Sequence, residues 1–142
     1  MAHFDQNLAS TQGIENKQKT KGGLTSWRER LVKEIILERL NESIEVAELA
    51  SACSLTRSHF SRAFKRTTGV SPQAWIRQQR ISKAKQLIQE THLSLTQISL
   101  DCGFSDQAHF CTTFIRNEGV TPLAWRRHFI HVAPSARMLH AR

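Results

Sequence analysis

The chain has 142 residues, a net charge of +8 and a pI of about 10.1, with 39% hydrophobic and 23% charged residues. That composition fits a globular protein of one ordinary domain or two small ones, and no apolar run is long enough to cross a bilayer. The start, MAHFDQNLASTQ, lacks the basic segment and apolar stretch of a secretion signal, so a soluble cytoplasmic protein is expected.

Three cysteines without a C-x-x-C pair fit neither a disulfide framework nor a zinc ribbon, and the seven histidines are scattered. No metal and no cofactor is expected. Nothing matches a phosphate-binding loop, a paired-carboxylate site or a catalytic triad, so an enzyme is not expected.

In chain order, residues 1–23 are polar and aperiodic. They end in Lys17, Lys19 and Lys21 before Gly22-Gly23, which reads as a flexible basic arm. From Leu24 the pattern turns helical, with Leu24, Trp27, Leu31 and Ile35 at spacings of three and four. Ser26-Trp27-Arg28-Glu29 fits a capping box, and Asn41 fits a helix stop. No strand alternation follows. Helices are expected at 26–40, 46–53, 57–68, 72–89, 95–102, 106–118 and 122–130, giving an all-α fold of about seven helices with a tail from 132 to 142.

Charge is localised. Between Leu49 and Gln89 no acidic residue occurs, while Arg57, Arg62, Lys65, Arg66, Arg77, Arg80, Lys83 and Lys85 do. A solvated surface is one reading; a face for a polyanion, nucleic acid first, is the other.

The chain also repeats itself. GVSPQAW at Gly69–Trp75 returns as GVTPLAW at Gly119–Trp125, and His59, Phe60 and Phe64 match His109, Phe110 and Phe114 at the same offset of fifty. Upstream the offset falls to forty-nine, pairing Cys53 with Cys102 and Ser54 with Gly103, so one residue has entered the second copy near Ser105–Asp106. Each heptapeptide describes a corner between helices. Glycine ends one helix in the left-handed conformation and valine supplies the accompanying apolar contact. Ser71 or Thr121 caps the next helix, proline sits in its first turn, and tryptophan packs back on the module.

Upstream of each corner, a short helix, a tight turn and a second helix spell a helix-turn-helix, at about 46–68 and again at about 95–118. In DNA binders the second helix enters the major groove. On the first such helix Phe60, Ala63 and Phe64 face inward, while Ser58, Ser61, Arg62 and Lys65 share another face. Arg62 suits guanine O6 and N7, and Ser58 and Ser61 suit base edges. Arg57, Lys65, Arg66, Arg77 and Arg116 are expected at phosphates. On the second helix the outward positions are Gln107, Ala108, Cys111, Thr112 and Ile115. Gln107 suits adenine, and Ala108 and Thr112 suit the thymine methyl. With no arginine matching Arg62, the second copy is expected to read more weakly or by shape. Oxidation of Cys111 could alter binding, though a small space-filling residue is the simpler reading. His59 and His109 are read as packing or phosphate-side residues. A linker helix over about 72–89 spans roughly 27 Å. Successive major-groove faces lie about 34–36 Å apart, so tilting or DNA bending completes the fit.

The segment ISLDCGFSDQAHFCTTFIRNEGVTPLAWRR resembles the signature of the AraC/XylS family of bacterial transcription regulators, through Gly103, Phe104, Phe110, Phe114, Gly119, Pro122 and Arg126 or Arg127. The resemblance covers about Val32 to Phe129, within a DNA-binding domain expected over 24–131. It implies two helix-turn-helix subdomains joined by a long linker helix. It also implies Ser58, Ser61 and Arg62, with Gln107, Ala108, Cys111 and Thr112, at base-facing positions. Ser54 departs from the usual glycine of the first turn, and Ser99-Leu100 from the usual small pair. At this length no separate sensor domain is expected within the chain. The chain therefore resembles the small single-domain members of the MarA, SoxS and Rob kind, which implies a monomer on double-stranded DNA that recruits RNA polymerase as an activator. The alternatives are a DNA-binding fragment of a longer regulator, or a module that docks on polymerase or another regulator and binds DNA specifically only with a partner.

Overall fold

The computed structural model describes residues 22–132. Among them all regular structure is helical: α1 (Ser26–Glu38), α2 (Val46–Ala52), α3 (Arg57–Thr68), α4 (Pro72–Glu90), α5 (Leu95–Asp101), α6 (Gln107–Glu118) and α7 (Pro122–Val132). The expected all-α fold of seven helices is what the described residues form. The N-terminal arm, apart from Gly22 and Gly23, and the C-terminal tail, apart from Val132, lie outside them. The chain divides into two compact units after Ile76, inside α4.

The first unit closes on a core that includes Val32 and Ile36 of α1, Leu49 and Cys53 at α2, Phe60 and Phe64 of α3, and Ile76 of α4. The second closes on Ile81, Ala84 and Ile88 of α4, Ile98 and Cys102 at α5, Phe104 of the turn, and Phe110 and Phe114 of α6. Burying an aliphatic or aromatic side chain of this size contributes about 1.5–3 kcal/mol each.

Three local expectations need correction. Helix α1 points a different face inward: Val32 and Ile36 are fully buried, whereas Trp27 is 50% exposed and Leu31 and Ile35 are half-buried. The chain carries two adjacent stripes at helical spacing, and the stripe with short branched side chains packs closest. Secondly, Ser26 is the first helical residue rather than the cap. Thr25 holds that position and makes no side-chain capping bond, and the helix ends at Glu38, before Asn41. Thirdly, valine does not seal the second corner, since Val120 is 43% exposed.

The corners otherwise form as their letters dictate. Gly69 and Gly119 adopt φ of 87° and 82°, and their N–H groups return to Lys65 O and Ile115 O. Ser71 Oγ accepts from Ala74 N at 3.1 Å and Thr121 Oγ1 from Ala124 N at 3.0 Å. Each such cap contributes about 1 kcal/mol. Pro72 and Pro122 are buried, and the tryptophans stand edge-on to phenylalanine, Trp75 at 6.1 Å from Phe64 and Trp125 at 6.2 Å from Phe114.

The repeat extends beyond the matching letters. At an offset of fifty-two, Arg28, Val32, Lys33 and Ile36 of α1 correspond to Arg80, Ala84, Lys85 and Ile88 of α4. Val32, Ile36, Ala84 and Ile88 are all core residues of their own units. Burial pushes the Cys53 thiol up, and Arg28 opposes it; burial pushes Cys102 up to about 11, with Lys83 and Arg80 opposing and Asp101 reinforcing. The first unit is thus α1, α2 and α3 with the first turn of α4, and the second is the rest of α4 with α5, α6 and α7.

Candidate nucleic-acid interface

In the first unit, α2 ends at Cys53 and the chain turns through Ser54, whose φ of 58° is left-handed. Leu55 N–H returns to Ala50 O at 3.0 Å and carries the chain into α3, where the Thr56 side chain caps His59 N–H at 3.2 Å. Phe60, Ala63 and Phe64 are buried, which fixes the rotation of α3 about its axis. Its opposite side then presents Arg57, Ser58, Arg62, Lys65 and Arg66 as exposed residues, with Ser61 half-buried at the margin. The Arg66 guanidinium lies against Gly22, close enough that a Cβ there would meet Nη1 at 2.9 Å. His59 is exposed on the first turn.

The second unit is built the same way. The turn uses Gly103, with φ of 87°, where the first uses Ser54, and Phe104 N–H returns to Ser99 O at 2.9 Å. The inserted residue shifts the cap to Asp106, whose carboxylate accepts from His109 N–H at 2.7 Å, so α6 starts at Gln107. Phe110, Thr113 and Phe114 are buried, and Gln107, Ala108, Thr112, Ile115 and Arg116 are exposed. Cys111 differs from the expected open position: it is half-buried and packs against the second core, as its counterpart Ser61 is half-buried in the first unit. His109 stands edge-on to Phe104 with centroids 5.4 Å apart, which gives it a packing role. Ser99, at a position where the first unit has Ala50, is buried and returns its hydroxyl to Thr96 O at 2.7 Å.

Some of the basic side chains pair with carboxylates and others do not. Lys33, Arg39 and Lys85 are engaged by Glu29, by Glu42 and Glu48, and by Glu118. Among the described residues no carboxylate pairs with Arg57, Arg62 or Lys65 of α3, with the exposed Arg77 of α4, or with Arg116 of α6. These five basic side chains are therefore available to a polyanion, with no carboxylate pair among the described residues to break first.

One interaction escaped the sequence reading. The Thr96 hydroxyl of α5 donates to Oε1 of Gln107 at the start of α6, at 2.5 Å. Eleven residues separate the pair, and no periodicity within either helix signals it.

Among the described residues no group of His, Cys, Asp or Glu side chains could hold a metal ion, and no helix is long and apolar enough to cross a membrane. Two helix-turn-helix units, each with a capped second helix turned outward, define the class of helix-turn-helix DNA-binding domains. The family model described as a helix-turn-helix domain matches residues 49–128, more than half of the chain. Among curated relatives, the probable transcriptional regulator LumQ of Photobacterium leiognathi is 38% identical over 78 residues, 55% of this chain and 32% of its own. The HTH-type transcriptional activator RhaS of an Enterobacter species is 31% identical over 95 residues, 67% of this chain and 31% of its own. The DNA-binding domain of AdpA, solved in complex with a target DNA, superposes with a TM-score of 0.71 at 30% identity over 74% of this chain and 95% of that one. An AraC-type DNA-binding-domain protein from Chromobacterium violaceum gives 0.65 at 28% identity over 69% and 88%. The chain belongs to the AraC/XylS family and carries that family's helix-turn-helix DNA-binding domain. It spans about a third of the length of the curated relatives it matches.

Proposed function

We propose that this chain is a sequence-specific transcriptional activator that inserts α3 and α6 into successive major grooves as a monomer and recruits RNA polymerase. In this reading Ser58, Ser61 and Arg62 contact bases from α3, and Gln107, Ala108, Cys111 and Thr112 from α6. Arg57, Lys65, Arg66, Arg77 and Arg116 contact phosphates. The reading divides the domain into the first helix-turn-helix at about 46–68, the linker helix at about 72–89 and the second helix-turn-helix at about 95–118. The observation that carries it is the exposed outer face of α3, where Arg57, Arg62 and Lys65 have no carboxylate partner among the described residues. The relative RhaS, named an activator, supports the direction of regulation.

Selection of binding sites from random duplex DNA, with the purified chain at physiological salt, tests this. A single asymmetric motif with two boxes about one helical turn apart is the expected result. Salt-sensitive binding to every sequence without a motif would reject it. A second reading then applies, favoured by the chain's span of about a third of its relatives' length: this is the DNA-binding part of a regulator that needs a partner for specific binding.

A further inference from the structure

We infer that Thr96 is a positioning residue for Gln107, holding its carboxamide ready to read an adenine; this rests on the reading of α6 as a base-contacting helix. A glutamine side chain has rotatable bonds to order before it can make two parallel hydrogen bonds to one base, and that ordering weakens the contact. Here Thr96 Oγ1 donates to Gln107 Oε1 although both residues are exposed. The bond consumes one lone pair of a carbonyl that has two, and neither N–H. The other lone pair and an N–H remain, which is the set a bidentate contact to adenine N6 and N7 requires.

Both ends of this clasp are anchored to the motif. The Thr96 carbonyl accepts from the hydroxyl of buried Ser99, and Ser94 caps the helix that carries Thr96 by accepting from Gln97 N–H at 3.1 Å. Gln107 is the first residue of a helix capped by Asp106. The first unit has no counterpart, since the equivalent positions are Ala47 and Arg57. The two units therefore deliver specificity differently: the first through the fork of Arg62, the second through a neutral amide held in advance. Preference at one base pair of the second box should then depend on a residue that never touches DNA.

The test measures the preference among all four base pairs at each position of the selected site, by competition, for wild type, Thr96→Val, Thr96→Ser, Gln107→Ala and Thr96→Val/Gln107→Ala. Wild type should prefer adenine at one position, and Gln107→Ala should abolish that preference. Thr96→Val should reduce it about two- to tenfold, the range expected for freeing one rotamer-rich side chain. Thr96→Ser, which keeps the hydroxyl, should retain it, and Thr96→Val should add nothing to Gln107→Ala. A merely structural Thr96 would lower the melting temperature and binding to every sequence without changing one position alone. Retained preference in Thr96→Val, with loss in Gln107→Ala, overturns the inference and leaves the reading of α6 intact. An additive effect in the double variant also overturns it, because Thr96 would then touch DNA itself. Unchanged preferences in Gln107→Ala overturn the reading of α6 and the inference with it.

Discussion

The ammonium of Lys33 lies 5.6 Å over the ring of Trp75, and that of Lys85 lies 5.7 Å over the ring of Trp125. Each lysine also meets a carboxylate, Glu29 at 2.6 Å for Lys33 and Glu118 at 2.9 Å for Lys85. The difference is where the acid comes from. Glu29 belongs to the same helix as Lys33, whereas Glu118 ends α6, so Lys85 ties α4 to both α6 and α7, the helix after the corner. Lys33→Ala should therefore cost about 0.5–1 kcal/mol, the range of a partly exposed cation–π contact. Lys85→Ala should cost about 1–2 kcal/mol, because a largely buried carboxylate loses its partner too. Urea denaturation of the two variants checks this, and equal losses would mean that the Glu118 pair contributes no more than the Glu29 pair.

Ser54 should be a weak point of the first turn. Its φ of 58° costs an L-residue about 1–2 kcal/mol, and the second unit meets the same requirement with Gly103 at 87°. Glycine returns part of that gain through the greater entropy of the unfolded chain. Ser54→Gly should stabilise the protein by roughly 0.5–1 kcal/mol, read as a higher urea midpoint at unchanged slope. The reverse change at a helix end, Gly69→Ala, should destabilise by about 1 kcal/mol through backbone strain alone, since an added Cβ there meets nothing within 4 Å.

The architecture was legible because the repeated letters have local consequences. Gly69, Ser71, Pro72 and Trp75 each act within a few residues of chain, so reading them once places a corner and reading them again at Gly119–Trp125 places another. The inward set Phe60, Ala63 and Phe64 was legible for the same reason, as neighbours on one helix face. Trp27 misled because α1 carries two apolar stripes side by side, and only packing against α2 and α3 selects Val32 and Ile36. The correspondence of α1 with α4 was hidden because its offset is fifty-two rather than fifty. The clasp of Gln107 by Thr96 was invisible because it joins two helices across a turn.

The three cysteines should separate by reactivity. Cys53 and Cys102 are fully buried and burial raises both thiols, Cys102 to about 11, while Cys111 is half-buried at the α6 surface. The thiolate is the reactive form. A single alkylation at Cys111 is therefore expected at pH 8, with the other two reacting only after denaturation; rapid modification of Cys102 in the folded state would contradict its burial. The raised value also sets a pH dependence. Between about 9 and 11 the unfolded chain has lost the Cys102 proton and the folded chain still holds it, so folded stability falls as pH rises through that window. The contribution is on the order of 3 kcal/mol at most. Subtracting the pH profile of Cys102→Ala isolates it from lysine titration, and identical profiles would remove the thiol as a cause.

Arg62 and Lys65 lie on the same exposed face of α3, three residues and just under one helical turn apart, and the proposed function gives them opposite kinds of work. A guanidinium can pair with guanine O6 and N7 through two parallel bonds, which an ammonium cannot reproduce. Arg62→Ala should weaken binding to the selected site by roughly 1–3 kcal/mol and flatten the preference at one base pair, and Arg62→Lys should recover affinity without recovering that preference. Lys65→Ala should weaken binding to specific and random duplexes alike and lower the dependence of log affinity on log salt by about one. Titrations of both variants on both duplexes at several salt concentrations separate the two roles. If Arg62→Ala lost equal affinity on specific and random DNA, Arg62 would be a phosphate contact, and the specificity assigned to the first unit would have to come from Ser58 and Ser61.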